Sequence, residues 1–143
     1  MKVESLVDGI VIDHIEEGKG MAIYNELGLG DMNVSVAIIK KAVSKKMEKK
    51  DILKIDHIIE INEDIVGYLS PGASISVVKN GKVAQKKRVS LPDTITDIVK
   101  CMNPRCITSC EQELKQIFKL ANSKKRIYRC LYCETRADKI QNI

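Results

Sequence analysis

Four cysteines in the C-terminal third of the chain fall in two close pairs, Cys101-x4-Cys106 and Cys130-x2-Cys133. Each short spacing turns the backbone so that two thiolates converge, and the segment between the pairs brings the second pair to the first. Four thiolates at these spacings are the ligand set of a tetrahedral zinc site. Because they fill the coordination sphere and leave no position for water, we expect one structural zinc ion, not a catalytic one.

Two alternatives concern the same cysteines. Two disulfides would also join four cysteines, but the chain starts MKVESLV, without an apolar signal segment. We therefore expect a cytoplasmic protein with reduced thiols. The fifth cysteine, Cys110, is an alternative ligand to Cys106, with a longer spacing to Cys101. Otherwise Cys110 is an ordinary small thiol.

The positive charge is concentrated in the part that holds the cysteines. Residues 1–96 contain 14 Lys and Arg against 14 Asp and Glu, whereas residues 97–143 contain 10 against 5. The net charge of +5 therefore belongs to the C-terminal part. A modestly basic module faces nucleic acid or an acidic protein surface, and charge alone leaves both open. No apolar run approaches the roughly 20 residues of a transmembrane helix.

The segment Ser90-Leu91-Pro92-Asp93 is the predicted boundary between two domains. Pro92 cannot donate a ladder hydrogen bond and favours extended geometry at Leu91. The residues before this segment lack cysteine, and all five cysteines follow it. We expect one domain over 1–92 and a zinc-binding domain over 97–143.

The first domain is predicted to contain five strands and two helices. The apolar periodicity and the Gly, Pro and Asn signals place strands at 6–15, 34–43, 52–61, 74–78 and 82–89, and helices at 18–27 and from the N-cap Asn62 to Pro71. Asn80-Gly81 is the strongest hairpin signal. This order predicts a ferredoxin-like α+β sandwich, an antiparallel sheet with one extra strand and both helices on one face.

The second domain is too short for a large core, so zinc is expected to supply much of its folding free energy. Periodicity in residues 111–121 fits a helix, and it also fits a strand paired with residues 127–130 across a turn at 122–125. The pattern does not decide between them. We favour strands and a small antiparallel zinc ribbon of the rubredoxin type.

Several blocks of the sequence together match one family. They are Val3-Glu4, Gly9-Ile10-Val11-Ile12-Asp13-His14-Ile15, Lys50-Asp51-Ile52-Leu53-Lys54-Ile55, Ser90-Leu91-Pro92, and the two cysteine pairs with Glu134. From Val3 to about Ala137 the chain resembles the regulatory chain of aspartate carbamoyltransferase.

The resemblance implies a non-catalytic chain. Its first domain would bind the effectors CTP, UTP and ATP, the first two inhibiting and the last activating, and would pair with itself in a homodimer. Its zinc domain would dock on a catalytic chain. Three such dimers would bridge two catalytic trimers, where carbamoyl phosphate and aspartate react in pyrimidine biosynthesis.

The resemblance also implies an effector-nucleotide site. Asp13 suits ribose hydroxyls or the base, and the lysines suit phosphate oxygens. The plain alternatives are polar residues at a strand end, solvated lysines and ordinary core residues. The implied site comprises Val3, Glu4, Leu6, Asp13, His14, Ile52, Lys54, Ser76, Val78, Val83 and Lys86.

Two positions depart from the family pattern. Ser76 stands where the pattern has an Asn that reads the base, and Gly81 stands where it has a Tyr. A shorter side chain and a missing ring remove base contacts. We expect weaker or less selective effector binding, with the phosphate contacts retained.

Two other functions compete with this reading. A nucleic-acid-binding zinc ribbon fits the basic second domain, although four Tyr, one Phe and no Trp offer little for base stacking. An enzyme fits less well, because the metal is saturated and the only histidines are His14 and His57. No nucleophile-elbow, P-loop or zinc-protease motif is present.

Overall fold

The computed structural model describes residues 7–43, 49–111 and 113–137. These residues divide into two compact units, and the division falls between Ser90 and Leu91. The predicted strand residues and nucleotide-binding residues at positions 1–6 lie outside the described part. None of the described helices combines the length and the apolarity that a membrane crossing requires.

The first unit is an α+β sandwich built on a five-stranded sheet. Every pairing is antiparallel and the strand order is β2-β3-β1-β4-β5. This confirms the ferredoxin-like prediction, with β5 as the extra strand. Its elements are β1 Gly9–Glu16, α1 Gly20–Glu26, a 3₁₀ helix Leu29–Asp31, β2 Val36–Val43, β3 Lys49–Ile55, α2 Glu63–Leu69, β4 Ser74–Lys79 and β5 Lys82–Arg88.

Local signals explain several of the boundaries. The side chain of Asn62 accepts a hydrogen bond from the Asp64 backbone N at 3.1 Å, which confirms the predicted N-cap of α2. Asn80 and Gly81 have φ angles of 53° and 76°, as the tight turn between β4 and β5 requires. Gly28, with φ 69°, follows α1 in the left-handed conformation that commonly ends a helix.

The helix-side core is aliphatic. Ile10, Ile12 and Ile15 of β1 and Leu53 and Ile55 of β3 are at most 1% exposed. α1 lies next to α2 and against β2 and β3. Each such side chain contributes on the order of 2 kcal/mol through burial. The helices contribute Ala22, Ile23, Val66 and Leu69 to this core.

The third strand differs from its prediction over 52–61. β3 starts earlier, at Lys49, and ends at Ile55. Residues 56–61 form a loop, in which Ile59 and Ile61 line an apolar groove against β4 and β5. Loop packing therefore accounts for Ile59 and Ile61, whereas Ile58 is 44% exposed.

The second unit contains a three-stranded sheet in the order β6-β7-β8. Its elements are β6 Thr94–Thr96, α3 Ile107–Cys110, β7 Ile117–Asn122 and β8 Ile127–Cys130. The strand alternative is confirmed for residues 117–121, whereas residues 111 and 113–116 are not in a strand, and α3 was not predicted. Ile95, Phe118 and Tyr128 form the small apolar core, each at most 1% exposed. The Tyr128 hydroxyl donates to the Pro92 carbonyl.

Candidate functional site

The sulfur atoms of Cys101, Cys106, Cys130 and Cys133 converge in the second unit. All four lie within 4.8 Å of one another. The Cys101–Cys133 Sγ distance is 3.6 Å and the Cys106–Cys130 distance is 3.7 Å. In a tetrahedron of thiolates around zinc, bonds of about 2.3 Å give edges of about 3.8 Å. The four cysteines are therefore arranged to bind one metal ion through four thiolate ligands.

Two local turns place these cysteines. Cys106 is the N-cap of α3, and its backbone N donates to the Asn103 carbonyl at 3.1 Å. Cys130 ends β8, and its carbonyl accepts from the Glu134 backbone N at 2.9 Å, which closes a tight turn around Cys133. The exposed Cys110 is not a member of the cluster.

A threonine hydroxyl lies beside the second cysteine of each pair. Thr108 Oγ1 donates to Cys106 Sγ at 3.1 Å, and Thr135 Oγ1 lies 3.2 Å from Cys133 Sγ. The contact with Thr108 lowers the pKa of the Cys106 thiol. The contact with Thr135 lowers the pKa of Cys133 to about 6. Both hydroxyls thus stabilise the thiolate form that binds a metal.

The pKa values of the other two cysteines, Cys101 and Cys130, are raised instead. Burial raises the pKa of Cys101 to about 12 and also raises the pKa of Cys130. Four close sulfurs in an apolar setting cannot all carry a charge without a cation. The arrangement is therefore that of a metal centre in which the ion compensates the charge of the thiolates.

One transverse row of the five-stranded sheet carries three of the predicted nucleotide-binding residues. Lys54 of β3 and Ser76 of β4 both lie opposite Val11 of β1, and Lys86 of β5 lies opposite Ser76. Directly opposed residues on neighbouring strands project from the same face. Lys54, Ser76 and Lys86 therefore share one face of the sheet, which we call the effector face.

Neighbouring rows add more of the predicted residues to this face. Val83 lies opposite Val78. Ile52 and Asp13 stand two residues from Lys54 and Val11, and alternate residues of a strand share a face. Val11, Ile52 and Val78 form a buried apolar cluster. The side chain of Lys54 is buried close to this cluster, whereas Lys86 is exposed at the sheet edge.

Asp13 and His14 lie at one end of the effector face. Lys50 Nζ is 2.7 Å from Asp13 Oδ1, and the His14 backbone N donates to the same oxygen at 2.6 Å. Burial raises the pKa of Asp13, but the contacts with Lys50 and His14 outweigh it, so the pKa is lowered overall. His14 Nδ1 lies 3.3 Å from Ser74 Oγ. A carboxylate, an ammonium group and an imidazole are thus held together beside the apolar cluster.

The structure brings the described nucleotide-binding candidates to a single face, while Val3, Glu4 and Leu6 lie outside the described residues. Sequence reasoning missed Lys50, although its four-residue spacing from Lys54 places both on one face of a strand. It also missed Thr108 and Thr135. Their signal was the Cys-x-Thr repeat at the second cysteine of each pair.

Fold and site together define a two-domain protein in which a metal-binding ribbon follows an α+β sandwich. The family model for the aspartate carbamoyltransferase regulatory chain, allosteric domain, matches residues 1–90. The model for the metal binding domain of the same chain matches residues 93–142. The protein belongs to the family of aspartate carbamoyltransferase regulatory chains.

Curated relatives agree over nearly the full length. Regulatory chains from Clostridium acetobutylicum and Clostridium botulinum are 40% and 42% identical over 134 residues, 94% of this chain and 92% of each relative. The Bifidobacterium longum chain is 37% identical over 137 residues, 96% of this chain and 99% of the relative. The protein is thus a regulatory chain and not a catalytic one, and this identity is favoured over a nucleic-acid-binding zinc ribbon.

Proposed function

We propose that the first unit binds nucleoside triphosphates on the effector face and that the second unit transmits their effect to a catalytic chain of aspartate carbamoyltransferase. The observation that carries this proposal is the row Lys54–Val11–Ser76–Lys86. It sets two cations and a hydroxyl around an apolar cluster, and Asp13 lies beside it. Phosphate oxygens, a base and a ribose each find a suitable partner on this face, where Lys86 is exposed and Lys54 and Ser76 are buried.

The charges suit a triphosphate at the β5 edge. Lys86 is exposed, and the β4–β5 hairpin from Lys79 to Arg88 contains five basic residues and no acidic one. Ammonium groups bind phosphate oxygens as mobile point charges. Because the carboxylate of Asp13 favours hydroxyl donors, we propose that the ribose binds near β1. CTP, UTP and ATP share these groups and are the effectors that we propose.

A calorimetric titration of the chain with CTP, UTP and ATP tests this site. Lys86→Ala is expected to weaken binding by about tenfold, the cost of one charge-assisted contact. Lys87→Ala is the matched control, because Lys87 is the next residue of β5, projects from the other face and pairs with Glu63 at 2.9 Å. Equal effects of the two substitutions, or no binding to the unaltered chain, would overturn the proposal.

The metal is proposed to be zinc, one ion per chain, held by Cys101, Cys106, Cys130 and Cys133. Four sulfurs within 4.8 Å of one another, with two pairs at 3.6 and 3.7 Å, suit zinc in size and ligand type. Bound zinc would hold the four cysteines together and would supply no chemistry on a substrate. Its role is to hold the two turns that shape the surface of the second unit. Thiolate ligands also fit a reducing cytoplasm, where we place the protein.

That surface is suited to docking on a protein partner. Each cysteine pair carries large apolar residues that are exposed: Met102 at 58%, Ile107 at 51%, Leu131 at 43% and Tyr132 at 40%. Clustered exposed apolar side chains on a small module indicate a protein interface. The partner that we propose is the catalytic chain of aspartate carbamoyltransferase.

Serine substitutions test this interface. Leu131→Ser and Met102→Ser are expected to weaken co-purification with the catalytic chain while the metal stays bound. Met21→Ser is the control, since Met21 is similarly exposed, at 44%, but lies in the first unit. Undiminished co-purification of both second-unit variants would contradict the interface.

The assembly that we propose contains regulatory homodimers, three of which bridge two catalytic trimers. An effector shifts such an assembly only through unequal affinity for its two states. Coupling of this kind is typically about 1–3 kcal/mol and is reciprocal, so ligands of the catalytic site are expected to change the nucleotide affinity as well.

A further inference from the structure

Asp51 is a fully buried carboxylate with three backbone donors. Its side chain has 0% exposure. Oδ2 accepts from the backbone N of Gly18 at 3.1 Å and of Gly20 at 2.9 Å, in the turn between β1 and α1. Oδ1 accepts from the backbone N of Lys41 in β2 at 3.1 Å. One carboxylate therefore joins segments on both sides of β3.

Two β-bulges adjoin Asp51. Between β1 and β3, Ile12 pairs with Leu53 and Ile15 with Asp51, so Asp13 and His14 share a single opposing residue. Between β2 and β3 the register shifts in the same way, and two β2 residues oppose Asp51. The bulge in β1 is the one that carries the candidate ribose-binding residue Asp13.

The β1 bulge needs support from outside itself. His14 has φ 57°, a left-handed backbone conformation that residues other than glycine adopt rarely. Such a conformation persists when the flanking contacts fix it. On the N-terminal side the ladder pair Ile12–Leu53 does so. On the C-terminal side the ladder pairs Ile15–Asp51 and Glu16–Lys50 resume. Beyond them the Asp51 carboxylate holds Gly18 and Gly20, and the Glu16 backbone N donates to Ser70 Oγ at 3.0 Å.

We propose that Asp51 is a positioning residue that fixes the β1 bulge and thereby aims Asp13 at the ribose of a bound nucleotide. The proposal rests on the proposed function and deepens it. Asp51 itself touches no nucleotide, because it is buried and its carboxylate accepts from three backbone groups. Its contacts with Gly18 and Gly20 lie at the end of the effector face where Asp13 would bind the ribose. Lys86, which would bind the phosphates, lies on β5 at the edge of the sheet.

The structure offers substitutions that separate the two contacts of Asp51. A Cβ added at Gly20 would lie 2.9 Å from Asp51 Oδ2, so Gly20→Ala displaces the carboxylate from the turn without altering Asp51. In Asp51→Asn, the one remaining oxygen keeps two hydrogen bonds if it faces Gly18 and Gly20 and only one if it faces Lys41. We therefore expect Asp51→Asn to preserve the turn, and Asp51→Ala to lose both contacts.

The test compares the affinity for CTP with that for 2′,3′-dideoxy-CTP, which lacks both ribose hydroxyls, by calorimetry on the full chain. The unaltered chain is expected to prefer CTP by about tenfold, the value of one hydrogen bond to a charged group. In Gly20→Ala and Asp51→Ala this preference should fall to near one. It should survive in Asp51→Asn and in the control Gly30→Ala, where the added Cβ would meet the side chain of Tyr24, its hydroxyl at 3.2 Å, and not Asp51.

A purely structural role would weaken both ligands equally and leave their ratio unchanged. An unchanged ratio in Gly20→Ala, or no preference for CTP in the unaltered chain, would overturn the inference while the proposed function stands. If Asp51→Ala does not fold, Gly20→Ala still decides. Failure of the unaltered chain to bind either nucleotide would overturn the proposed function, and the inference with it.

Discussion

Lys50 and Asp13 form an ion pair across the strands β3 and β1, with Nζ and Oδ1 separated by 2.7 Å. The side chains are only 13% and 29% exposed, so solvent screens this pair less than the exposed pair of Lys87 and Glu63. The pair fixes the carboxylate oxygen at the end of the effector face. It also joins β3 to the bulge in β1.

Removal of this ammonium group is expected to raise the pKa of Asp13. In the unaltered chain, burial raises this pKa and the contacts with Lys50 and His14 lower it below the ordinary value of 3.8. Lys50→Met removes the main lowering contact and leaves the burial. Because the folded-state pKa is lowered, the pair stabilises the fold above pH 3.8, and this contribution is lost as the pH falls through the lowered pKa.

The measurement is an NMR titration of the Asp13 carboxyl carbon in the Lys50→Met variant and in the unaltered chain. Lys87→Met, which removes an exposed ion pair, is the control and should leave the Asp13 midpoint unchanged. A midpoint in Lys50→Met equal to or below that of the unaltered chain would show that Lys50 does not set this pKa.

Metal removal is expected to unfold the second unit and leave the first unit folded. Apparent metal-binding energies of about 10 kcal/mol or more exceed what a core of Ile95, Phe118 and Tyr128 supplies. NMR spectra with and without a strong chelator check this residue by residue. Cys106→Ser should lose the metal in mass spectrometry, whereas Cys110→Ser should keep it. Retention of second-unit signals in chelator would refute the structural role of the ion.

The threonine hydroxyls beside the sulfurs are expected to tune metal affinity. Thr108→Val and Thr135→Val each remove one hydroxyl contact with a ligand sulfur. Loss of such outer contacts typically lowers metal affinity by about 10–100-fold. Competition with a chromophoric chelator measures it, and Thr94→Val, an exposed residue of the same unit, is the control. Affinities within twofold of the control for both variants would be inconsistent with this role.

The order of the strands and α-helices in the first unit was predictable from the sequence because its signals are local. Asn80-Gly81 specifies a hairpin, Asn62 a helix N-cap, and the spacing of the cysteines a convergent cluster. The end of β3 was not predictable in this way, since residues 58–61 have the apolar character of a strand but lie in a loop, where Ile59 and Ile61 pack and Ile58 is exposed. Tertiary contact, not local preference, decides that segment.

The candidate site was likewise predictable only in part. The resemblance supplied Asp13, Lys54 and Lys86, and the register of the sheet brings them to one face. The bulges beside Asp51 depend on how neighbouring strands align, which no periodicity in one strand records. A buried carboxylate that accepts three backbone donors likewise has no signal in the sequence beyond a charge at the start of an apolar strand.

Ser76 is expected to limit base selectivity. Ser76 pairs with Val11 on one side and with Lys86 on the other, and an amide side chain at this position would offer both a donor and an acceptor to a base. Ser76→Asn should therefore increase the ratio of CTP to ATP affinity, by about tenfold for one added hydrogen bond to a base. Parallel calorimetric titrations measure this ratio. Strong CTP preference in the unaltered chain, unchanged by the substitution, would contradict this expectation.

The central claim is that nucleotide occupancy of the first unit changes the activity of a catalytic chain docked on the second. The direct test is to assemble this chain with its catalytic partner and to measure the aspartate concentration at half-maximal rate with CTP, UTP or ATP. We predict that at least one nucleotide shifts this concentration, that chelation of the metal abolishes the shift, and that Lys86→Ala raises the nucleotide concentration needed for it by about tenfold. An assembled enzyme whose aspartate response is the same with and without every nucleotide would contradict the account.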